Sequence, residues 1–338
     1  MNRHIKRTTY SILKKSEINS LLKTINSTEK VNSSKLRNKK SKKEWIWQYK
    51  DLPSSKSYCY VAKKQKKIIG YYHVPTFKFT FKNNLFSIGN AQDVGILKRF
   101  RGQGIFKNLS NFAIKDLSRK IDLIYSFPNQ YSIKNFINNN SFNFIKNLPI
   151  YFKPIFLIKK RFKNLEGTKI TELSNTNADL INLFKNFGSK HLSYLVRDKS
   201  FLQWRYIKSQ KGKINILGLK SKNKLQAAIF YKYEKIFGLK SIVILDFAYI
   251  NNVENLSRLI DNLSYYLYLK KKIGSHLVII SGIFKDMNIF FKKNFYKIPM
   301  ILSPRKIMLL SKVFNKKITK DFKKSSSWLV TLGDWDIF

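Results

Sequence analysis

Laid over itself at an offset of 157, this sequence repeats. EWIWQYK (Glu44 to Lys50) and FLQWRYIK (Phe201 to Lys208) match, with Trp47 on Trp204 and Tyr49 on Tyr206. YVAKKQKKIIGYY (Tyr60 to Tyr72) then lies without a gap over LGLKSKNKLQAAI (Leu217 to Ile229). After four residues are lost, Asp93-Val94-Gly95-Ile96 falls over Asp246-Phe247-Ala248-Tyr249, and Ser141-Phe142 over Asn294-Phe295. A biased composition supplies one such match easily, but not four in the same order. The repeat predicts two copies of one α/β unit, each with its own core, and 338 residues with 43% apolar suffice for two.

Each copy reads as helix, hairpin, central strand, long helix, strand and final helix. The paired segments show an apolar run, a polar Lys/Asn/Gln turn and a second apolar run, which is a hairpin pattern. In the first copy, Ile105, Leu109, Phe112, Ala113 and Leu117 recur at three- and four-residue spacing and predict a helix from Ile105 to Lys120. DLIYSFP (Asp122 to Pro128) reads as a strand and Tyr131 to Asn138 as a helix. The boundary falls in Lys153 to Lys169, giving domains 1–158 and 159–338. The basic run KLRNKKSKK, Lys35 to Lys43, reads as a solvated loop.

Charge and cysteine usage narrow the function. A net +47 attracts polyanions, nucleic acid or anionic membranes. Of the 66 basic residues 55 are Lys, whereas surfaces that read bases lean on the planar arginine fork, so specific nucleic-acid binding is not expected. Weak association with anionic membranes stays open. The single Cys59 excludes an intramolecular disulfide and a Cys-rich zinc site, which fits the reducing cytoplasm. No stretch approaches the roughly 18 apolar residues of a membrane span, and no metal site is expected. His4, His73, His191 and His276 show neither ligand nor triad spacing.

Chemistry concentrates in DVGILKRFRGQGIFKNLSNFAIKDL, Asp93 to Leu117. A strand ending in VGI, a basic turn and a helix start make an anion site, because first-turn N–H groups lack intrahelical partners and the macrodipole adds positive potential. Gly102 and Gly104 remove side chains that would hold a diphosphate away, and Lys98 and Arg101 add charge. No Walker loop is present, and Lys107 stands where the dinucleotide fingerprint needs glycine. Arg101-Gly102-Gln103-Gly104-Ile105-Phe106 instead resembles the pyrophosphate loop of the GNAT acyltransferase superfamily. FPNQYSIKNFINNNSF, Phe127 to Phe142, is similar to that family's later motif, with Asn129, Ser132 and Ser141-Phe142 in its positions. Trp204-Arg205-Tyr206 and SWLVTLGDWDIF, Ser327 to Phe338, resemble segments of tandem members from bacterial surface-polysaccharide gene clusters.

The resemblance implies two tandem GNAT-like α/β domains, each a mixed, mostly antiparallel sheet flanked by helices. It implies acetyl-CoA, or another short acyl-CoA, as cofactor. Main chain from Val94, Gly95, Ile96 and Leu97 would meet its arm. Arg101, Gly102, Gln103, Gly104, Ile105 and Phe106 would cradle the diphosphate, with Asn129 alongside. Three positions depart from the family: Phe106 for Gly or Ala, Ser141 for Gly, and Ile137 for the tyrosine that protonates the leaving thiolate. Another hydroxyl or water must then serve; Tyr125 and Tyr131 read as aromatic core. Asp93 is the carboxylate best placed to take the acceptor's proton, or else a structural group like its counterpart Asp246. The second copy lacks the loop and carries Glu254 there, so only the first is expected to hold coenzyme A. The implied activity is acyl transfer to a small primary amine, an amino sugar for surface polysaccharide. The alternatives are an aminoacyl-tRNA-dependent peptidoglycan-type transferase and a non-catalytic basic binding module.

Overall fold

The computed structural model describes residues 7–29, 39–54, 56–155, 167–174, 176–236, 238–269, 276–299, 301, 303, 306–318, 322 and 328–335. Lys35 to Asn38 of the basic run, most of the inter-copy segment and the ends of SWLVTLGDWDIF lie outside them.

The chain begins with β1 (Thr9–Ile12), α1 (Ile18–Glu29), α2 (Lys42–Tyr49), β2 (Ser57–Lys64), β3 (Lys67–Phe81), β4 (Asn84–Asn90) and β5 (Gln92–Ile96). It continues through α3 (Ile105–Leu117), β6 (Leu123–Ser126), a π-helical turn (Asn135–Asn139), β7 (Asn143–Leu148) and β8 (Ile150–Pro154). Next come β9 (Thr168–Glu172), α4 (Ala178–Ser189), β10 (Ser193–Leu195), α5 (Lys199–Leu202), a second π-helical turn (Gln203–Ile207), β11 (Asn215–Ser221) and β12 (Lys224–Ile236). The last elements are β13 (Leu239–Tyr249), α6 (Glu254–Leu269), β14 (Leu277–Ile283), α7 (Met287–Asn294), β15 (Tyr296–Lys297), β16 (Ile307–Val313) and β17 (Trp328–Thr331).

Two compact units form. One comprises Met1–Lys78, Phe86–Lys146 and Met308–Lys323, the other Phe79–Leu85, Asn147–Ile307 and Lys324–Phe338. Each unit therefore takes in chain from beyond a single cut at 158/159. In the first, β16 returns from far along the chain to pair antiparallel with β6, Leu310 opposite Ser126.

The fold is α/β, as expected, with mixed sheet in each unit. In the first, β2–β3 and β3–β5 pair antiparallel and β4–β6 parallel. In the second, β11–β12 and β12–β13 pair antiparallel and β13–β14 parallel. The predicted hairpins are present, and their turns match. Gln65 and Lys66 have φ of 53° and 64°, Lys222 and Asn223 45° and 61°. Two consecutive left-handed residues are the turn that follows the right-handed twist of the flanking strands.

Alternation along β2 and β3 sorts the first unit's core into two faces. Tyr60, Ala62, Tyr72 and Val74 join Ile105, Leu109, Ala113 and Leu117 of α3 on one face. Cys59, Val61 and Tyr71 join Leu21, Ile25, Trp45 and Tyr49 of α1 and α2 on the other. The α3 stripe is as the spacing predicts except at Phe112, which is 38% exposed and meets Tyr60 edge-on. Each fully buried side chain of this kind contributes about 1.5–3 kcal/mol.

Candidate functional site

The glycine loop sits where the first unit's central strand gives out. Leu97 N donates to Ile69 O at 2.9 Å, a tight turn covers Lys98–Phe100, and Arg101 Nε folds back to donate to Ile96 O at 3.0 Å. Gly102 and Gly104 have φ of 78° and 69°, a region that costs an L side chain roughly 1–2 kcal/mol. A Cβ on either would meet nothing within 4 Å, so glycine is required by conformation and the space before the loop is open. Gly104 is the cap of α3 and supplies no side chain, and the first turn carries no acidic residue. The N–H groups of Ile105, Phe106 and Lys107 precede the first intrahelical bond, Asn108 N to Gly104 O, and the loop 101–104 before them is exposed, an arrangement that can hold an anion. Phe106 turns inward against Tyr72 and Phe136, so its bulk does not enter the cradle.

The central strand is split. β4 pairs with β6 as far as Asn90, opposite Tyr125, and Ala91 N donates to Tyr125 O at 2.8 Å. Beyond Ala91 the pairing continues on the β3 side only among the described strands, with Val94 opposite Tyr72 and Ile96 opposite Gly70. Asp93 at the split has φ of 43°, and the register shifts there. Val94 to Ile96 therefore turn one edge of their main chain away from β3, where an amide-bearing arm could pair.

Asp93 itself is held firmly. Lys40 Nζ forms an ion pair with it, and Tyr49 Oη donates to the same oxygen at 2.5 Å. Tyr49 stacks on His73 with centroids 4.1 Å apart, and Trp45 Nε1 donates to His73 Nε2 at 3.1 Å. Burial alone would raise the carboxyl's pKa, but Lys40, His73 and the Tyr49 hydroxyl outweigh it and hold it well below the ordinary carboxylate range. A carboxylate so stabilised is a weak base. Its contacts tie the split strand to α2, the structural role weighed for Asp93 beside that of proton acceptor.

The second unit repeats this cluster. Arg197 Nε donates to Asp246 Oδ2 at 2.8 Å, Tyr206 Oη to the same oxygen at 2.6 Å, and Tyr206 stacks on Phe230 at 4.0 Å. Lys40 and Arg197, Tyr49 and Tyr206, and His73 and Phe230 all stand at the offset of 157. Sequence reasoning missed Lys40, which it placed in a solvated loop, and passed over His73. The signal was available, because both align with residues of the second copy's cluster.

The cluster makes stability pH-dependent. Burial lowers the His73 pKa to about 4, so between there and its ordinary value of about 6.5 the unfolded chain binds the proton and the folded protein does not. Stability is complete above about pH 6.5 and falls as pH drops towards 4. His73→Phe, which copies Phe230, should remove about 2 kcal/mol of the loss between pH 7 and 4.5. Urea unfolding at the two pH values checks it; equal slopes for wild type and variant would show His73 charged in the fold.

Other expected residues fall as follows. Asn129 Oδ1 accepts from Tyr131 N and Ser132 N, both at 3.0 Å. Tyr125 is buried as expected of core, whereas Tyr131 is 65% exposed and is not core, its backbone being held in the turn that Asn129 caps. Ile137 is partly exposed and brings no donor. In the second unit, the position of the glycine loop is taken by Asn251, with φ of 61°, and Glu254 opens α6. Arg205 Nε donates to Gly333 O at 2.9 Å and its guanidinium also reaches Trp335 O, so the WRY and GDW segments brace each other. Among the described residues no three His, Cys, Asp or Glu side chains gather as a metal would require, and no helix is long and apolar enough to cross a membrane.

Residues 10–135, which span the loop and the split strand, match the family model of the acetyltransferase (GNAT) domain. This stretch is a GNAT acetyltransferase domain. By class it is the domain of acyl-CoA-dependent N-acyltransferases. No curated protein matches the sequence significantly. Among solved structures, a GCN5-related N-acetyltransferase from Anabaena variabilis is similar over 91% of this chain and 73% of its own, with 12% identity and a TM-score of 0.66. A probable N-acyltransferase from Enterococcus faecalis is similar at 11% identity and TM-score 0.65, covering 91% and 72%. Saccharomyces cerevisiae N-myristoyltransferase with bound myristoyl-CoA is similar at 10% identity and TM-score 0.58, covering 93% and 84%. At these identities the likeness is one of fold, and it extends beyond the GNAT domain to nearly the whole chain.

Proposed function

We propose that this protein transfers an acetyl group from coenzyme A to a small primary amine, with the cofactor held by the GNAT domain of the first unit. The observation that carries the reading is the uncapped start of α3, opened by two left-handed glycines and placed beside the free edge of the split strand. Main chain from Arg101 to Phe106 would hold the diphosphate, main chain from Val94 to Leu97 the amide-bearing arm, and the Asn129 NH₂ group would lie alongside. Acetyl-CoA, when bound, supplies the acyl group as an activated thioester. No Cys or Ser stands in a nucleophile motif, so the amine attacks directly.

The two units are read as tandem GNAT-like copies with domain limits near 158, a reading supported by the repeated Lys40–Asp93–Tyr49 and Arg197–Asp246–Tyr206 clusters. Only the first copy is read as cofactor-binding. An amino sugar for surface polysaccharide is the proposed acceptor, on the likeness of the WRY and GDW segments, which serve architecture in this fold. A cytoplasmic location is proposed on the single, buried, unpaired Cys59.

Isothermal titration of the full chain with acetyl-CoA is expected to show one site per chain, and thiol release should appear when a panel of amino sugars is added. Absence of binding to acetyl-CoA, longer acyl-CoAs and coenzyme A alike would overturn the reading. Tighter binding of a long-chain acyl-CoA would replace acetyl as the transferred group.

A further inference from the structure

Tyr72 on β3 stands directly opposite Val94 on β5, and side chains at paired positions share one face of the sheet. On that face the Tyr72 ring lies 6.4 Å from Phe106, the second residue of α3, and 6.2 Å from Phe136 in the π-helical turn. The phenol thus lies on the Val94 face of β5, against the first turn of α3 and the π-helical turn, on a strand whose other edge carries no strand partner past Ala91 among the described strands and has Ile96 O taken by Arg101. It is fully buried, and its hydroxyl finds no hydrogen-bond partner among the described residues. Other buried tyrosines behave differently: Tyr49, Tyr60, Tyr206 and Tyr249 each donate to a carboxylate. Leaving a buried hydroxyl unsatisfied costs about 1–3 kcal/mol, and phenylalanine would occupy the same slot without that cost. A tyrosine there implies that its hydroxyl is satisfied in another state of the protein.

On the acyl-CoA reading above, we infer that the Tyr72 hydroxyl donates a hydrogen bond to the thioester end of the acyl-CoA arm lying along Val94 to Leu97. Its part is to bind and orient. Burial pushes the phenol far above its ordinary pKa, whereas a thiol titrates near 8.5, so handing its proton to a leaving thiolate would run uphill. Tyr72 therefore does not substitute for the acid that Ile137 fails to provide. It fixes the thioester carbonyl or sulfur at the split strand.

Tyr72→Phe tests this without relying on turnover. The ligand-free variant should melt above wild type, because an unsatisfied hydroxyl has been removed. Its affinity for acetyl-CoA, measured by titration calorimetry, should fall about five- to tenfold, the worth of one net hydrogen bond. Its affinity for adenosine 3′,5′-bisphosphate, which carries the phosphates but no arm, should stay at the wild-type value. Unchanged acetyl-CoA affinity overturns the inference, and so does an equal loss with both ligands. A variant that melts below wild type shows that the hydroxyl has a partner within the fold and overturns it as well. Failure of the wild type itself to bind acetyl-CoA removes the parent reading, and is distinguishable because it needs no variant.

Discussion

Gly104→Glu is expected to abolish measurable binding of acetyl-CoA while leaving the protein folded. Two effects combine at this position. Its φ of 69° is unfavourable for any L side chain, which costs roughly 1–2 kcal/mol in an exposed turn. The larger effect is electrostatic: a carboxylate at the mouth of the α3 start would face the diphosphate, and like charges so juxtaposed cost several kcal/mol. Since about 1.4 kcal/mol is tenfold, affinity should fall by about a hundredfold or more. Gly104→Ala separates the two effects, because it keeps the backbone strain and adds no charge. It should lose some thermal stability and only a little affinity. If Gly104→Glu bound acetyl-CoA as wild type does, the diphosphate would have to lie elsewhere.

Arg197→Met is expected to unfold the second unit or to destabilise it by about 3–5 kcal/mol, the cost of leaving buried charge unpaired. Arg197 is drawn between two buried carboxylates: its Nε donates to Asp246, and one terminal nitrogen donates to both oxygens of Asp334 at 2.8 and 2.9 Å. Its remaining nitrogen donates to Leu195 O, so each of the three nitrogens is engaged. Burial already pushes the Asp334 carboxyl upward, with Arg197 opposing it, and loss of the cation would force a proton onto one or both acids. The triple variant Arg197→Met, Asp246→Asn, Asp334→Asn should recover much of the loss, because the neutral amides remove the unpaired buried charge while keeping an oxygen to accept from Tyr206 and Thr331. Urea unfolding of the three proteins checks both steps. Arg197→Met within about 1 kcal/mol of wild type would mean that the network carries little of this unit's stability.

The repeat is legible in the amino-acid order because duplicated aromatic and acidic residues keep their spacing, and spacing survives when composition drifts. The hairpins are legible because polar turns separate apolar runs. The glycine loop is legible because left-handed φ values and an uncapped helix start need glycine at particular offsets. Less legible are the roles of polar residues. Lys40 belongs by composition to a basic run, and only contact with Asp93 shows it to be an interior ion-pair partner. Tyr131 looks apolar enough for a core, but it lies in a turn that points it to solvent.

By itself the sequence determined the hairpins and the apolar stripe of α3, and it pointed to two copies of one α/β unit with a glycine-opened helix start in the first. Both follow from local rules: hydrophobic period, turn chemistry and backbone freedom depend on neighbours along the chain. Tertiary structure decided what surrounds Asp93 and which buried tyrosine hydroxyl lacks a partner among the described residues. A carboxylate's basicity and a hydroxyl's satisfaction depend on groups brought near by folding, here Lys40 and Tyr49 around Asp93, and the rings of Phe106 and Phe136 around Tyr72.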